Sequence, residues 1–172
     1  GPYIVMTDKV FSENRIKKDD ADFKALLESE LGHPVIIIPW TPYEDDVYGH
    51  SDGFIKWCGD NRILMGNHGD CYPEEAASIR RILESYGFEV TEIRFKGKVD
   101  KTCYDLNWAY INFLQVGKNI IMPKFNIEED TIAQQYIQEA FPDCNIRQIE
   151  MKEIAKEGGA LHCLSWNVYL PK

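Results

Sequence analysis

One pattern of apolar residues runs through this chain repeatedly: two short strands joined by a tight turn, an amphipathic helix, then a further strand. In its clearest copy, Gly53 to Trp57 and Arg62 to Met65 flank Gly59-Asp60-Asn61, the spacing of a β-hairpin. Pro73 to Tyr86 follows as a helix, with proline at its start and Gly87 at its end, and Phe88 to Phe95 is the closing strand. A later copy has strand Trp108 to Val116, turn Gly117-Lys118-Asn119, strand Ile120 to Met122, helix Glu129 to Phe141 and strand Asn145 to Glu150. The first copy has strand Tyr3 to Met6, then helix Asp20 to Leu31 with a stripe of Ala21, Phe23, Leu26, Leu27 and Leu31 ended by Gly32, then strand Val35 to Ile38 closed by Pro39. Met6, Met65 and Met122 occupy equivalent strand ends, giving a repeat of roughly 57 residues. The expectation is an α/β fold of ββαβ units spanning about 3–39, 50–95 and 107–150, with a closing strand at 159–167, all in a single domain of residues 1–172. The first copy lacks its opening strand and the chain ends just after the strand that would open a fourth, so both ends are expected to be cut from a longer repetitive ring.

A chain of 172 residues suits one domain with a sizeable core. Its net charge of −9 argues against a nucleic-acid partner. No apolar run approaches the roughly 20 residues that cross a bilayer, so no membrane partner is expected. The five cysteines (Cys58, Cys71, Cys103, Cys144, Cys163) are odd in number, widely spaced and form no C-x-x-C pair. That argues against a disulfide framework and a zinc site, and points to a reducing, cytoplasmic compartment. The four histidines, His33, His50, His68 and His162, lack metal-ligand spacing, so neither a metal nor another cofactor is expected. A start at Gly1-Pro2 reads as a cleaved tag remnant or an internal boundary, in which case a signal peptide lies among what has been lost.

Three short segments carry candidate chemistry. In Tyr48-Gly49-His50-Ser51-Asp52-Gly53, residues two apart on a strand point the same way, so His50 and Asp52 face one pocket if the segment is extended. The bland alternative is a turn-rich polar strand entrance. Asn112 is a polar residue in the apolar run Trp108 to Leu114, and a buried amide needs either a structural partner or a ligand. Cys163 follows Gly158-Gly159-Ala160-Leu161-His162; it is either a small core hydrophobe or a nucleophile to which flexible glycine backbone gives close access.

Taken in order, Gly49-His50-Ser51-Asp52, Tyr110-Ile111-Asn112-Phe113, Met122-Pro123-Lys124-Phe125, Phe141-Pro142 and Gly158 to Cys163 resemble the motifs of the agmatine deiminase family, which includes the Porphyromonas-type peptidyl-arginine deiminases. The resemblance runs from about Tyr3 to the C-terminus, and Thr7 to Asn14 looks like the link after that family's second carboxylate motif. It implies the pentein fold, a ring of five ββαβ units, of which this chain would hold about three. It also implies a guanidine hydrolase, with a small cationic guanidine such as agmatine, or peptidyl-arginine, as substrate. Cys163 would be the nucleophile, His50 the acid and base, Asp52 a guanidinium clamp, and Asn112 a residue orienting substrate or the nucleophile's surroundings. His162 matches the position beside the nucleophile and is read as structural rather than as an acid or base.

The family's W-x-R-D-x-G-P and E-G-G-N motifs, which supply two further acids, have no counterpart here. Three expectations follow: a piece of a longer deiminase, a short homologue completed by a second copy or a partner that closes the ring, or a non-catalytic binding module. Amidino transfer, using the same kind of cysteine and histidine, is a further enzymatic alternative.

Overall fold

The computed structural model describes residues 2–40, 49–95, 107–166 and 168. In chain order the elements are β1 (Ile4–Thr7), α1 (Lys9–Glu13), α2 (Ala21–Leu31), β2 (Val35–Ile38), β3 (Ile55–Trp57), β4 (Arg62–Met65), α3 (Pro73–Ser85), β5 (Glu89–Glu92), β6 (Leu114–Val116), β7 (Asn119–Lys124), α4 (Glu129–Ala140), β8 (Asn145–Glu150) and α5 (Lys152–Ala155). Among the described residues they form three small sheets, ordered β1-β2, β3-β4-β5 and β6-β7-β8. The last two share one topology: an antiparallel hairpin whose second strand pairs in parallel with the strand that follows the helix. In the first sheet β1 and β2 are parallel, with Ile4 beside Val35 and Thr7 beside Ile38. The architecture is therefore α/β and built from ββαβ repeats.

Local chemistry explains the element ends. Asp20 caps α2 by accepting a hydrogen bond from the Phe23 N–H at 2.9 Å, and Gly32 ends it in the left-handed region. Pro73 opens α3, where its missing N–H costs nothing.

Alternation along β4 shows how the units pack. Ile63 and Met65 belong to a core with Ile36 and Ile38 of β2 and Ile79 and Leu83 of α3. Leu64, on the opposite face, joins a second core with Tyr110, Phe113, Ile120 and Met122, and with Ala133 and Ile137 of α4. A strand whose successive residues enter two different cores must lie between neighbouring units. The helix of the first unit differs: α3 and α4 bury apolar residues, whereas no residue of α2 is fully buried.

Several segments depart from the sequence expectation. The strand expected from Gly53 begins at Ile55, because Ser51–Gly53 is a 3-10 turn closed by Gly53 N–H to the His50 carbonyl (3.1 Å) and Phe54 N–H to the Ser51 carbonyl (3.0 Å). Likewise Asn107–Ile111 is a 3-10 turn, and β6 starts only at Leu114, so Asn112 sits between the two rather than in a strand. The described part of the expected closing strand at 159–167 is a turn over Leu161–Leu164. There the Leu164 N–H folds back to the Ala160 carbonyl (3.1 Å) and the Ser165 N–H to the His162 carbonyl (3.2 Å), so the backbone bonds locally instead of across a sheet. The thiols also differ: Cys58, Cys144 and Cys163 are free, but Cys71 is disulfide-bonded. Which cysteines approach closely enough to bond is a matter of Cβ geometry that chain spacing does not reveal. No helix among the described residues is long and apolar enough to cross a membrane.

Candidate active site

The site forms where the two 3-10 turns meet the C-terminal turn. Gly49 leads into it with φ +59°, and a Cβ there would stand 2.8 Å from the Trp40 indole, so glycine is required on both counts. The Thr7 hydroxyl donates to the Gly49 carbonyl at 2.6 Å and the Ser51 hydroxyl to the Val5 carbonyl at 3.2 Å, tying this segment to β1. His50 is extended (φ −80°, ψ 132°) with an exposed side chain, and the chain then tightens so that Asp52 lies on the 3-10 turn. The pairing of His50 and Asp52 on one strand face, expected from the sequence, is replaced by this strand-to-turn arrangement.

Asn112 is the hub, only 1% exposed. Its Nδ2 donates to Asp52 Oδ2 at 2.9 Å. Its Oδ1 accepts from two backbone amides of the C-terminal turn, Ala160 at 3.1 Å and Cys163 at 3.2 Å. Its carbonyl accepts from the His162 N–H at 3.0 Å. The amide thus has structural partners on both sides, which answers the question its burial raised. Gly159 permits the tight approach of this turn: a Cβ there would lie 3.1 Å from Cβ of Cys163.

The thiol of Cys163 points at Asp52, with Sγ 3.5 Å from Oδ2. Burial, first, pushes the thiol above its ordinary value; the Asn112 hydrogen bond opposes this and the Asp52 carboxylate reinforces it. A thiol held protonated beside a carboxylate is a poor nucleophile until a cation enters. Any cation pairing with Asp52 would neutralise the repulsion and favour the thiolate at the same moment. The structure therefore joins Asp52, Asn112 and Cys163 through direct contacts, with His50 two residues from Asp52 at the edge of the cluster. Among the described residues, no group of three or more His, Cys, Asp or Glu side chains is placed to hold a metal ion.

Sequence reasoning missed Lys56 of β3. Its half-buried ammonium lies 3.4 Å from the Phe113 carbonyl, 4.8 Å from the Phe113 ring centre and 3.4 Å from Nδ1 of His162. Burial lowers its pKa, while Asp52 and the Cys163 sulfur favour its charged form. The pKa of His162 is lowered by burial first and then by Lys56, with Asp52 acting the other way. The one available signal was a lysine interrupting the apolar strand Phe54 to Trp57.

The sequence pattern of Porphyromonas-type peptidyl-arginine deiminase matches residues 1–168. The agmatine deiminase of Ectopseudomonas mendocina is 25% identical over 175 aligned positions, covering 84% of this chain and 47% of that protein. Among solved structures, C. jejuni agmatine deiminase superposes with a TM-score of 0.72 at 18% identity, over 94% of this chain and 50% of that one. The agmatine deiminase of Enterococcus faecalis does so with a TM-score of 0.70 at 20% identity, over 93% of this chain and 52% of that one. The chain spans about half the length of these relatives. Its repeats take the pentein fold. With the pattern matched over 1–168, the chain belongs to the agmatine deiminase and Porphyromonas-type peptidyl-arginine deiminase family.

Proposed function

We infer that these residues form the nucleophilic half of a guanidine deiminase site, which hydrolyses a guanidine such as agmatine or peptidyl-arginine to a ureido product and ammonia. The observation that carries this is the convergence of the Cys163 thiol and the Asp52 carboxylate, 3.5 Å apart and bridged by one buried amide. A planar cation that offers N–H groups to a carboxylate and an electrophilic carbon to sulfur suits that arrangement. Asp52 grips guanidinium N–H groups. The Cys163 proton passes to His50, the thiolate attacks the guanidinium carbon to form a C–S bond, and His50 returns that proton to the departing nitrogen, whose C–N bond breaks to release ammonia. His50, now basic, takes a proton from water, which adds to the thiouronium carbon; the C–S bond then breaks and returns the thiol. Asn112 holds nucleophile and clamp in register through the collapse of each intermediate.

The test is release of ammonia with formation of the ureido product, from agmatine and from a peptidyl-arginine substrate, by a full-length protein that carries this chain and by its Cys163→Ala variant. Turnover abolished by the substitution is the expected result. Absence of turnover on any guanidine, together with a Cys163 that resists alkylation, would leave a binding module as the better reading. Appearance of a new guanidine on an added amine would identify amidino transfer instead.

A further inference from the structure

We propose that Lys56 is a positioning residue that holds His162, and with it the turn bearing Cys163, in one neutral tautomer; this rests on the deiminase reading of the site. An ammonium has three N–H donors and no acceptor. Its contacts at the Phe113 carbonyl and at Nδ1 of His162, both 3.4 Å, therefore require that Nδ1 accept. The imidazole proton then sits on Nε2. The Phe113 ring, 4.8 Å from Nζ, fixes the third side of the ammonium.

The turn is consequently held from two directions. Asn112 takes the backbone N–H groups of Ala160, His162 and Cys163, while Lys56 takes the imidazole ring. Backbone bonds alone leave the His162 side chain free to rotate and to protonate. An imidazolium would set one cation against another and lose the Nδ1 acceptor, so protonation breaks the Lys56 contact. The titratable groups that act on this pair are Asp52, Cys58 and Cys163, in addition to Lys56 and His162 themselves. Asp52 favours both cations, and burial disfavours both. Lys56 thereby suppresses His162 as a proton donor beside the nucleophile and leaves that task to His50.

The experiment is nitrogen-15 NMR of the full chain with labelled histidine, combined with the pH dependence of Cys163 alkylation by iodoacetamide. In the wild type above neutral pH, the His162 proton should reside on Nε2; finding it on Nδ1 overturns the proposal without any substitution. In Lys56→Met the His162 titration midpoint should rise by roughly one pH unit and the Cys163 alkylation midpoint should rise with it, whereas Lys56→Arg should keep both close to wild type. A folded Lys56→Met protein with an unchanged His162 midpoint sinks the proposal, because a merely structural lysine alters melting and not the midpoint. A full-length protein without turnover and with a Cys163 that resists alkylation, alongside the expected tautomer and His162 shift, would count against the deiminase reading and leave the role of Lys56 standing.

Discussion

Asp52 carries opposed duties, and the opposition is measurable at one residue. Its carboxylate accepts from Asn112 Nδ2 at 2.9 Å and lies 3.5 Å from the Cys163 sulfur, so it disfavours the thiolate that the proposed reaction would use. Replacement by asparagine keeps an oxygen for Asn112 and removes the charge. The thiol is raised by burial first and by Asp52 in addition, so loss of the carboxylate lowers its pKa and the thiolate forms at lower pH. Asp52→Asn should therefore move the iodoacetamide alkylation midpoint of Cys163 down by roughly half to one pH unit, read by mass spectrometry across a pH series. An upward or absent shift would mean that Asp52 does not govern the thiol. On the deiminase reading the same variant should fail to turn over guanidines, since the carboxylate proposed to grip the cation is gone. The sequence singles out Cys163, His50, Asp52 and Asn112 in ordered motifs, and the structure brings Asp52, Asn112 and Cys163 into direct contact. That contact is not legible in the sequence: a hydrogen bond between residues 52 and 112 spans 60 positions of chain, and no local pattern encodes it.

At the scale of elements, periodicity was a sound guide to regular structure and a poor one to turns. β8 spans Asn145–Glu150 and β4 spans Arg62–Met65, the bounds expected from the sequence, and the helices α2, α3 and α4 end within a residue of expectation. The 3-10 turn at Ser51–Gly53 reads as strand from the two-residue spacing of His50 and Asp52, and that at Asn107–Ile111 because a short apolar run fits either geometry; the deciding bonds join residues three apart. The second turn is fixed from outside itself. Tyr110 donates its hydroxyl to Asp130 Oδ1 at 2.6 Å, and the same carboxylate accepts from the Phe125 N–H at 2.9 Å and, through Oδ2, from the Ile127 N–H at 3.1 Å. One side chain in the first turn of α4 thus holds the end of β7, the loop beyond it and the segment that delivers Asn112. Asp130→Ala leaves the buried Tyr110 hydroxyl and the Phe125 N–H without their acceptor, which should cost about 1–3 kcal/mol in urea denaturation. Tyr110→Phe should cost less in the wild-type background and almost nothing once Asp130 is alanine, because the two changes remove the same contact. Additive losses would show that the carboxylate and the hydroxyl act separately.

At the scale of the whole molecule, the three sheets are related by repetition but are not equally protected. β4 has β3 on one side and β5 on the other, and β7 lies between β6 and β8. Among the described residues β1 pairs with β2 alone, leaving one edge of N–H and C=O groups outside any ladder, apart from the Val5 carbonyl that the Ser51 hydroxyl takes. Its helix matches that asymmetry: Leu26 of α2 is 54% exposed and Leu31 is 40% exposed, although both belong to the apolar stripe expected to face a core. Stability in a repeat fold is a sum of unit terms and neighbour terms, so a unit with neighbours on one side only opens first. Amide exchange followed by mass spectrometry should show it, with the peptide covering β1 and α2 exchanging at least tenfold faster than those covering β4 and β7 under native conditions. If the edge and the α2 stripe are covered in a self-assembled form, the difference should shrink as protein concentration rises, in step with the mass measured by sedimentation. Equal protection of β1 and β4 in a monomeric sample would contradict the argument, because the missing ladder and the exposed α2 stripe both call for earlier opening of the first unit.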